Sequence, residues 1–325
     1  MSSSSRPFGL SGRPVTTDFD FLRGSFDVQS RRRTDPLAPG GEWKRSAATS
    51  IARTHFNGAI SIDEMQFEED GFYGMSVRLF DVVAKQWVVY WINSLRGVLQ
   101  PPVRGVWADG SCWFVGPDSH EGMPVLASYR WSDVQPESAH WEQAFSVDEG
   151  RSWETNWTMD FVRRKDMPDH GRLDSVTKDF DFLNGRWAGL QRRRHHPLKD
   201  DDVWQQFQST STSRTYFNGA VSVHEFDFDN EGFNCLALRL YSPQTRLWTI
   251  HWVDSRDGRL QEPVTGTFDG GVGRFVGTDV LDGEPIDVQC TWARVDAEAR
   301  WEQSFSSDNG RSWVPNWTMD LRRVQ

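Results

Sequence analysis

The chain has 325 residues, with 36 Lys and Arg against 46 Asp and Glu, a formal net charge of −10, and 17 Trp, 21 Phe and 5 Tyr. That length predicts two domains, each able to bury its own core, and the acidic balance argues against nucleic acid or an anionic membrane as partner. No stretch approaches the roughly 18 apolar residues of a spanning helix, and three scattered cysteines (Cys112, Cys235, Cys290) make neither a disulfide framework nor a zinc knuckle.

In chain order, residues 1–17 are rich in Ser, Gly and Pro, lack the apolar core of a secretory signal, and are expected to form a flexible tail in a cytoplasmic protein. Asp18-Phe-Asp-Phe-Leu22 then reads as a short helical turn with an Asp at its start as a possible cap. Strands follow, recognised by their period of two. Trp87, Val89, Trp91 and Asn93 share one face and Val88, Tyr90 and Ile92 the other. Trp141, Gln143 and Phe145 alternate with Glu142, Ala144 and Ser146, and Trp153 to Phe161 alternate in the same way. Asp70-Gly71, Asp109-Gly110 and Asp148-Glu149-Gly150 supply turns between such runs.

The whole pattern then repeats. Asp18-Phe-Asp-Phe-Leu22 returns as Asp179-Phe-Asp-Phe-Leu183, and the same 161-residue step carries Trp43 to Trp204, Phe56-Asn57-Gly58 to Phe217-Asn218-Gly219, Trp87 to Trp248, and Trp91 to Trp252. After a one-residue deletion, Trp141-Glu142-Gln143 matches Trp301-Glu302-Gln303, and Trp157 matches Trp317. Turn signals recur at Asn230-Glu231-Gly232, Asp269-Gly270-Gly271 and Asp308-Asn309-Gly310. Copies of this size are far longer than a solenoid or propeller repeat, so this is a duplicated domain. The boundaries are 18–164 for the first copy, a polar linker with Pro and Gly breakers over 165–178, and 179–325 for the second. Eight to ten short antiparallel strands per copy point to an all-β protein of two tandem closed barrels.

Gly185-Arg186-Trp187 opens the first strand of the second copy, where the first has Gly24-Ser25-Phe26, and each last strand ends in paired arginines, Arg163-Arg164 and Arg322-Arg323. A Gly-x-Trp closed over by an arginine from the chain end resembles the lipocalin (calycin) barrels. The longer order of Phe-Asp-Phe-Leu-x-Gly-x-Trp, Arg-Leu-Tyr, a Trp-rich strand and Trp-Glu-Gln-x-Phe-Ser resembles a bacterial lipocalin-like domain family of unknown function. The resemblance covers most of both copies and implies a barrel of eight or more strands with an internal cavity; it implies no reaction. Phe26 departs from the Trp of that pattern. Ser146-Val-Asp148-Glu-Gly150-Arg-Ser152-Trp153 and its counterpart Ser306 to Trp313 look like the Asp-box of sialidase propellers, a self-folding hairpin that here occurs once per copy.

The predicted function follows from the inward faces. Barrels lined by indoles suit a small hydrophobic or aromatic ligand, although the same rings also fill a core. Candidate ligand contacts are Trp91, Asn93, Gln143 and Trp157 in the first copy, and His224, Trp252, Gln303 and Trp317 in the second. Polar groups on apolar faces need partners or a ligand. Asp254, where the first copy has Asn93, is a candidate general base, and His251, where the first copy has Tyr90, is a candidate proton-transfer group. Arg239 and Glu302 complete the catalytic candidates, Arg holding a carboxylate or enolate while Glu moves protons. The ordinary alternative for Arg78, Arg239, Glu142 and Glu302 is cross-strand pairing on the outer face.

His195-His196 with Asp200-Asp201-Asp202 lacks a third ligand fixed by spacing, so a solvated loop is expected and no metal. Arg31-Arg32-Arg33 and Arg192-Arg193-Arg194 are charged strand ends, alternatively a ligand-anion contact. With no phosphate loop and no nucleophile elbow, no cofactor and no covalent catalysis are expected. Two functions stand: a cofactor-independent isomerase, cyclase or hydro-lyase working by shape and proton transfer in a barrel cavity or an inter-barrel groove, or a non-catalytic carrier. Convergence of two titratable groups on one pocket separates them.

Overall fold

The computed structural model describes residues 15–38, 40–168, 176–199, 203–228 and 231–324. The first 14 residues of the expected tail, positions 169–175 of the expected linker, Asp200–Asp202 and Asn230 lie outside them. The chain divides into two compact units, one per barrel.

Each unit is a closed, all-antiparallel, ten-stranded barrel in which neighbours in sequence are neighbours in space. In the first, β1 (Gly24–Arg33) pairs with both β2 (Trp43–His55) and β10 (Glu154–Arg163), which shuts the sheet and leaves no free edge. Between them run β3 (Ile60–Phe67), β4 (Phe72–Asp81), β5 (Gln86–Asn93), β6 (Val103–Ala108), β7 (Ser111–His120), β8 (Met123–Ser132) and β9 (Ser138–Ser146). The second repeats this with β11 (Gly185–Arg194), β12 (Trp204–Tyr216), β13 (Val221–Phe228), β14 (Phe233–Ser242), β15 (Leu247–Asp254), β16 (Val264–Asp269), β17 (Val272–Leu281), β18 (Glu284–Val295), β19 (Glu298–Ser306) and β20 (Val314–Val324). The strand number sits at the upper end of the expected range.

The arginine at the end of each copy's last strand closes the base as the resemblance implied. Arg323 lies over the Trp187 ring at 4.4 Å and donates to the carbonyls of Asn184 and Phe182 at 2.5 and 2.8 Å. In the first barrel Arg163 lies over Phe26 at 4.6 Å and donates to Arg23 and Phe21, both at 2.6 Å. A guanidinium needs only an aromatic face and carbonyls, so Phe26 serves in place of an indole. Gly185 is required twice over: its φ is +117°, and a Cβ there would meet Arg323 Nη1 at 2.7 Å.

The helical turns before β1 and β11 are 3-10 turns, Asp20–Leu22 and Asp181–Leu183. Asp18 and Asp179 do not cap them; their carboxylates accept the indole N–H of Trp87 and Trp248 at 2.9 Å. A buried indole donor leaves its N–H without water, so the carboxylate goes there. Phe19 and Phe180 follow, each packing edge-on against that indole with ring centroids 4.7 Å apart, and thereby plug the base of each barrel.

The two Asp-box hairpins fold as the spacing predicts. Asp148 accepts the amide and hydroxyl of Ser152 at 2.9 and 2.7 Å and the Ser146 hydroxyl at 2.8 Å, while Trp153 Nε1 donates to the Gly150 carbonyl. Asp308 makes the same set with Ser312 and Ser306. These bonds hold both carboxyl groups down at about 2.

Candidate functional site

Inward side chains of β3, β4, β5, β7, β8, β9 and β10 line a slot inside the first barrel. Trp91, Trp131, Trp141 and Trp157 form its aromatic walls, and Arg78, Tyr129, Gln143 and Ser76 supply its polar atoms. The space between these side chains, counted out to its open end, is about 460 Å3, but the part wide enough for a water molecule to move in is about 20 Å3. That is roughly one water, so the slot is closed down around its own rings.

Of the residues that line the slot, Trp91 alone is not buried. Its ring lies across the Cα of Gly74, where a Cβ would fall 2.1 Å from the indole. It meets Trp157 edge-on at 5.7 Å, and Trp157 meets Trp141 edge-on at 5.4 Å. Trp157 is held by its own indole N–H on the Ser30 hydroxyl at 2.9 Å, and Arg32 covers it at 4.3 Å. Gln143 donates to the Asn156 side chain at 2.8 Å, at the bulge in β10. Three of the four ligand contacts expected in the first copy, Trp91, Gln143 and Trp157, therefore come together.

The charge in the slot is neutralised internally. Arg78 on β4 meets Asp63 on β3 at 2.5 Å, with both side chains buried, and the guanidinium is flanked by Phe19 at 5.0 Å and Trp131 at 5.8 Å. Arg78 is thus an interior residue rather than an outer-face one. Residue alternation pointed the other way, because the apolar Met75, Val77 and Leu79 alternate with Ser76 and Arg78, yet both sets are buried. Burial pushes the Tyr129 phenol well up, so it serves as a hydrogen-bonding group and not as a base.

The second barrel uses the same positions differently. Arg239 and His224 replace the Arg78–Asp63 pair, and both are fully buried. Arg239 donates to His224 Nδ1 at 3.3 Å and to the Ser222 hydroxyl at 3.2 Å; His224 Nε2 lies 2.9 Å from the Ser211 hydroxyl. Since a guanidinium cannot accept, Nδ1 is the acceptor and the proton sits on Nε2. Burial, with the Arg239 charge added, keeps this imidazole well below its ordinary value and hence neutral. Trp252 stacks on Phe226 at 5.6 Å, and Trp317 donates its N–H to Gln191 at 2.9 Å and meets Trp301 edge-on at 5.7 Å. Gln303, half-buried on β19, hydrogen-bonds Cys290, whose thiol burial raises to about 12.

The other catalytic candidates are dispersed. His251 is on the face of β15 opposite Trp248 and Trp252, half-buried, with Nδ1 3.4 Å from the Gln261 carbonyl; burial lowers its pKa. Asp254 is buried, but Arg256 takes both its oxygens, with Nε at 2.9 and 3.0 Å and Nη2 at 2.5 Å, and the Arg256 amide binds Oδ1 at 2.8 Å. Asn93 has the same local task, accepting the Leu95 amide at 2.8 Å. Both are turn residues at a strand end. Glu302 lies on the outer face of β19 beside Arg300 at 3.8 Å, and Glu142 beside Arg130 at 3.6 Å, the cross-strand or same-face pairing that is the ordinary use of such residues.

Among the described residues no group of three or more His, Cys, Asp and Glu is placed to hold a metal, and no helix is long and apolar enough to cross a membrane. His195 and His196 stand with ring centroids 4.8 Å apart. Arg33 and Arg194 cover Trp43 and Trp204, and Arg193 covers Trp317 at 5.5 Å beside Glu231.

No family model matches the chain, and no curated protein matches it either. Among solved structures, it is similar to a protein of unknown function of the DUF3598 family from Nostoc punctiforme, at 12% identity over 94% of this chain and 98% of that one, with a TM-score of 0.28. A transferrin binding protein B from Haemophilus parasuis matches at 7% identity over 92% of this chain and 75% of the other, TM-score 0.19. Kievitone hydratase from Nectria haematococca matches at 9% identity over 98% and 94%, TM-score 0.15. At these values none of them carries an argument about the function of this chain.

Proposed function

We propose that the first barrel binds a small, flat, hydrophobic or aromatic molecule in the slot between Trp91, Trp141 and Trp157, and that it does so without catalysing a reaction. The observation that carries this reading is the lining itself: four indoles, few polar groups, and a single part-exposed ring, Trp91, over a glycine. Because the slot at rest holds about one water, a ligand enters by moving Trp91 outward and taking its place against Trp157. Gln143 and the Tyr129 hydroxyl then orient it.

The carrier reading is favoured over the cofactor-independent acid–base enzyme by what converges on the slot. Its one cation is already paired with Asp63, Tyr129 is held protonated, and His251, Asp254 and Glu302 are engaged elsewhere. The test is titration of the protein with naphthalene and indole while following tryptophan emission. Saturable quenching that is lost in Trp157→Ala, and that Trp91→Ala strengthens by removing the ring a ligand must displace, supports the slot. Emission unmoved by either probe, or moved equally in those variants, rejects it.

A further inference from the structure

The two barrels carry the same buried arginine but not the same counter-charge. In the first, Asp63 neutralises Arg78. In the second the equivalent of Asp63 is His224, which is neutral, and among the described residues no carboxylate pairs with Arg239. Its surroundings are the faces of Phe180 at 4.7 Å and Trp292 at 5.0 Å, the Ser222 hydroxyl and the imidazole. Its Nε–H, shielded from solvent, has no acceptor. Burial draws the guanidinium down only to about 9, so it keeps its charge at neutral pH. A fully desolvated cation with a free donor is a costly arrangement that an anion would relieve.

We propose that the second barrel is an anion site: Arg239 holds a compact monoanion, with its free Nε–H as one donor, His224 and Ser222 fixing the guanidinium, and Phe180 and Trp292 walling the anion from water. The exchange of Asp63 for His224 between the copies is what opens the site. The internal carboxylate has been replaced by a neutral ring, so the counter-charge comes from outside. A free halide and the carboxylate of an apolar acid share this chemistry. The site lies in the other barrel from the aromatic slot, so each stands or fails separately.

The experiment uses the full chain in halide-free buffer. Because the site is closed, the protein is refolded from urea at each concentration of bromide, benzoate or benzamide, and its thermal midpoint is then recorded. Benzamide, uncharged and of benzoate's size, reports any effect of the aromatic slot. The expected result is a saturable rise in the midpoint with bromide, with benzoate beyond benzamide, or with both, bromide acting alone also identifying a free anion as the ligand. Bromide matching benzoate identifies a free anion as the ligand, and benzoate acting alone identifies an organic carboxylate.

His224→Asp, which restores the buried pair of the first barrel, should weaken the anion effect by about tenfold or more and raise the anion-free midpoint. Arg239→Met should abolish the effect. Reciprocally, Asp63→His should give the first barrel an anion-dependent midpoint that the wild type lacks. The proposal is overturned if neither anion shifts the wild type beyond benzamide, or if His224→Asp and Arg239→Met both respond like the wild type.

Discussion

Asp63 and Arg78, on neighbouring strands of the first barrel, meet at 2.5 Å with their side chains 2% and 4% exposed. The pair is diagonal rather than directly opposite, since Arg78 faces Ser61 in the register and Asp63 faces Ser76. A long guanidinium side chain reaches across that diagonal, and the Ser61 hydroxyl at 3.5 Å marks its path.

Breaking this pair leaves a charge stranded in the core. Asp63→Asn should destabilise the first barrel by about 3–5 kcal/mol, whereas adding Arg78→Met to it should recover most of the loss. Urea unfolding followed by tryptophan emission reads both variants. A double variant no more stable than Asp63→Asn would mean that the pair's charge is not what matters.

Gly74 is the floor on which Trp91 rests, and the second barrel has Cys235 at that position. Gly74→Cys should therefore fill the seat that a ligand takes from Trp91 and weaken aromatic quenching by about tenfold, with the fold intact. Unchanged affinity in a well-folded variant would remove the seat over Gly74 from the site.

At the base of the second barrel, Arg323→Lys keeps a cation but loses the two-pronged grip on the Asn184 and Phe182 carbonyls. It should cost about 1–2 kcal/mol, close to the cost of Arg323→Ala, because the fork and its stacking on Trp187 do the closing. Full stability of the lysine variant, measured in urea, would show that charge alone suffices.

Asp148 and Asp308 have folded-state pKa values near 2, below their ordinary 3.8. A depressed carboxyl stabilises the folded state fully above its unfolded value, and that contribution is lost as pH falls through the folded one. The hairpins should thus weaken between about pH 4 and pH 2. In Asp148→Asn/Asp308→Asn this part of the acid dependence should disappear, as followed by hydrogen exchange at the Ser152 and Ser312 amides. Identical acid profiles for variant and wild type would place the sensitive groups elsewhere.

The arginine-closed base was implied only by the resemblance to lipocalin barrels, since Arg323 meets carbonyls 139 and 141 residues away. The duplication, the meander of short antiparallel strands and both Asp-box hairpins were legible in the residue order. Each rests on local information: a period of two, turn residues at fixed offsets, or side chains that bond their own backbone within four residues. Trp91, Gln143 and Trp157 were legible for the same reason, as inward positions on strands whose outer face is visibly polar or whose face is marked by repeated indoles. The same alternation sets Tyr90, and so His251, and Glu142, and so Glu302, on the faces opposite the indoles, where the structure has them; proton-transfer chemistry, and not their face, made them candidates. Asp254 read as a pocket base because its nearest competitor, Arg256, belongs to the following turn.

What only the tertiary structure decided is the charge inside each barrel. On β4 and β14 both faces are buried, so alternation carries no inside or outside label, and Arg78 and Arg239 read as easily as surface residues. Whether each meets a carboxylate depends on strand register and on a diagonal reach between β3 and β4, or between β13 and β14, and no spacing along a single strand encodes that. The sequence by itself determined two copies of one barrel; the closed sheet decided that one arginine is neutralised by Asp63 and that the other, beside His224, is not.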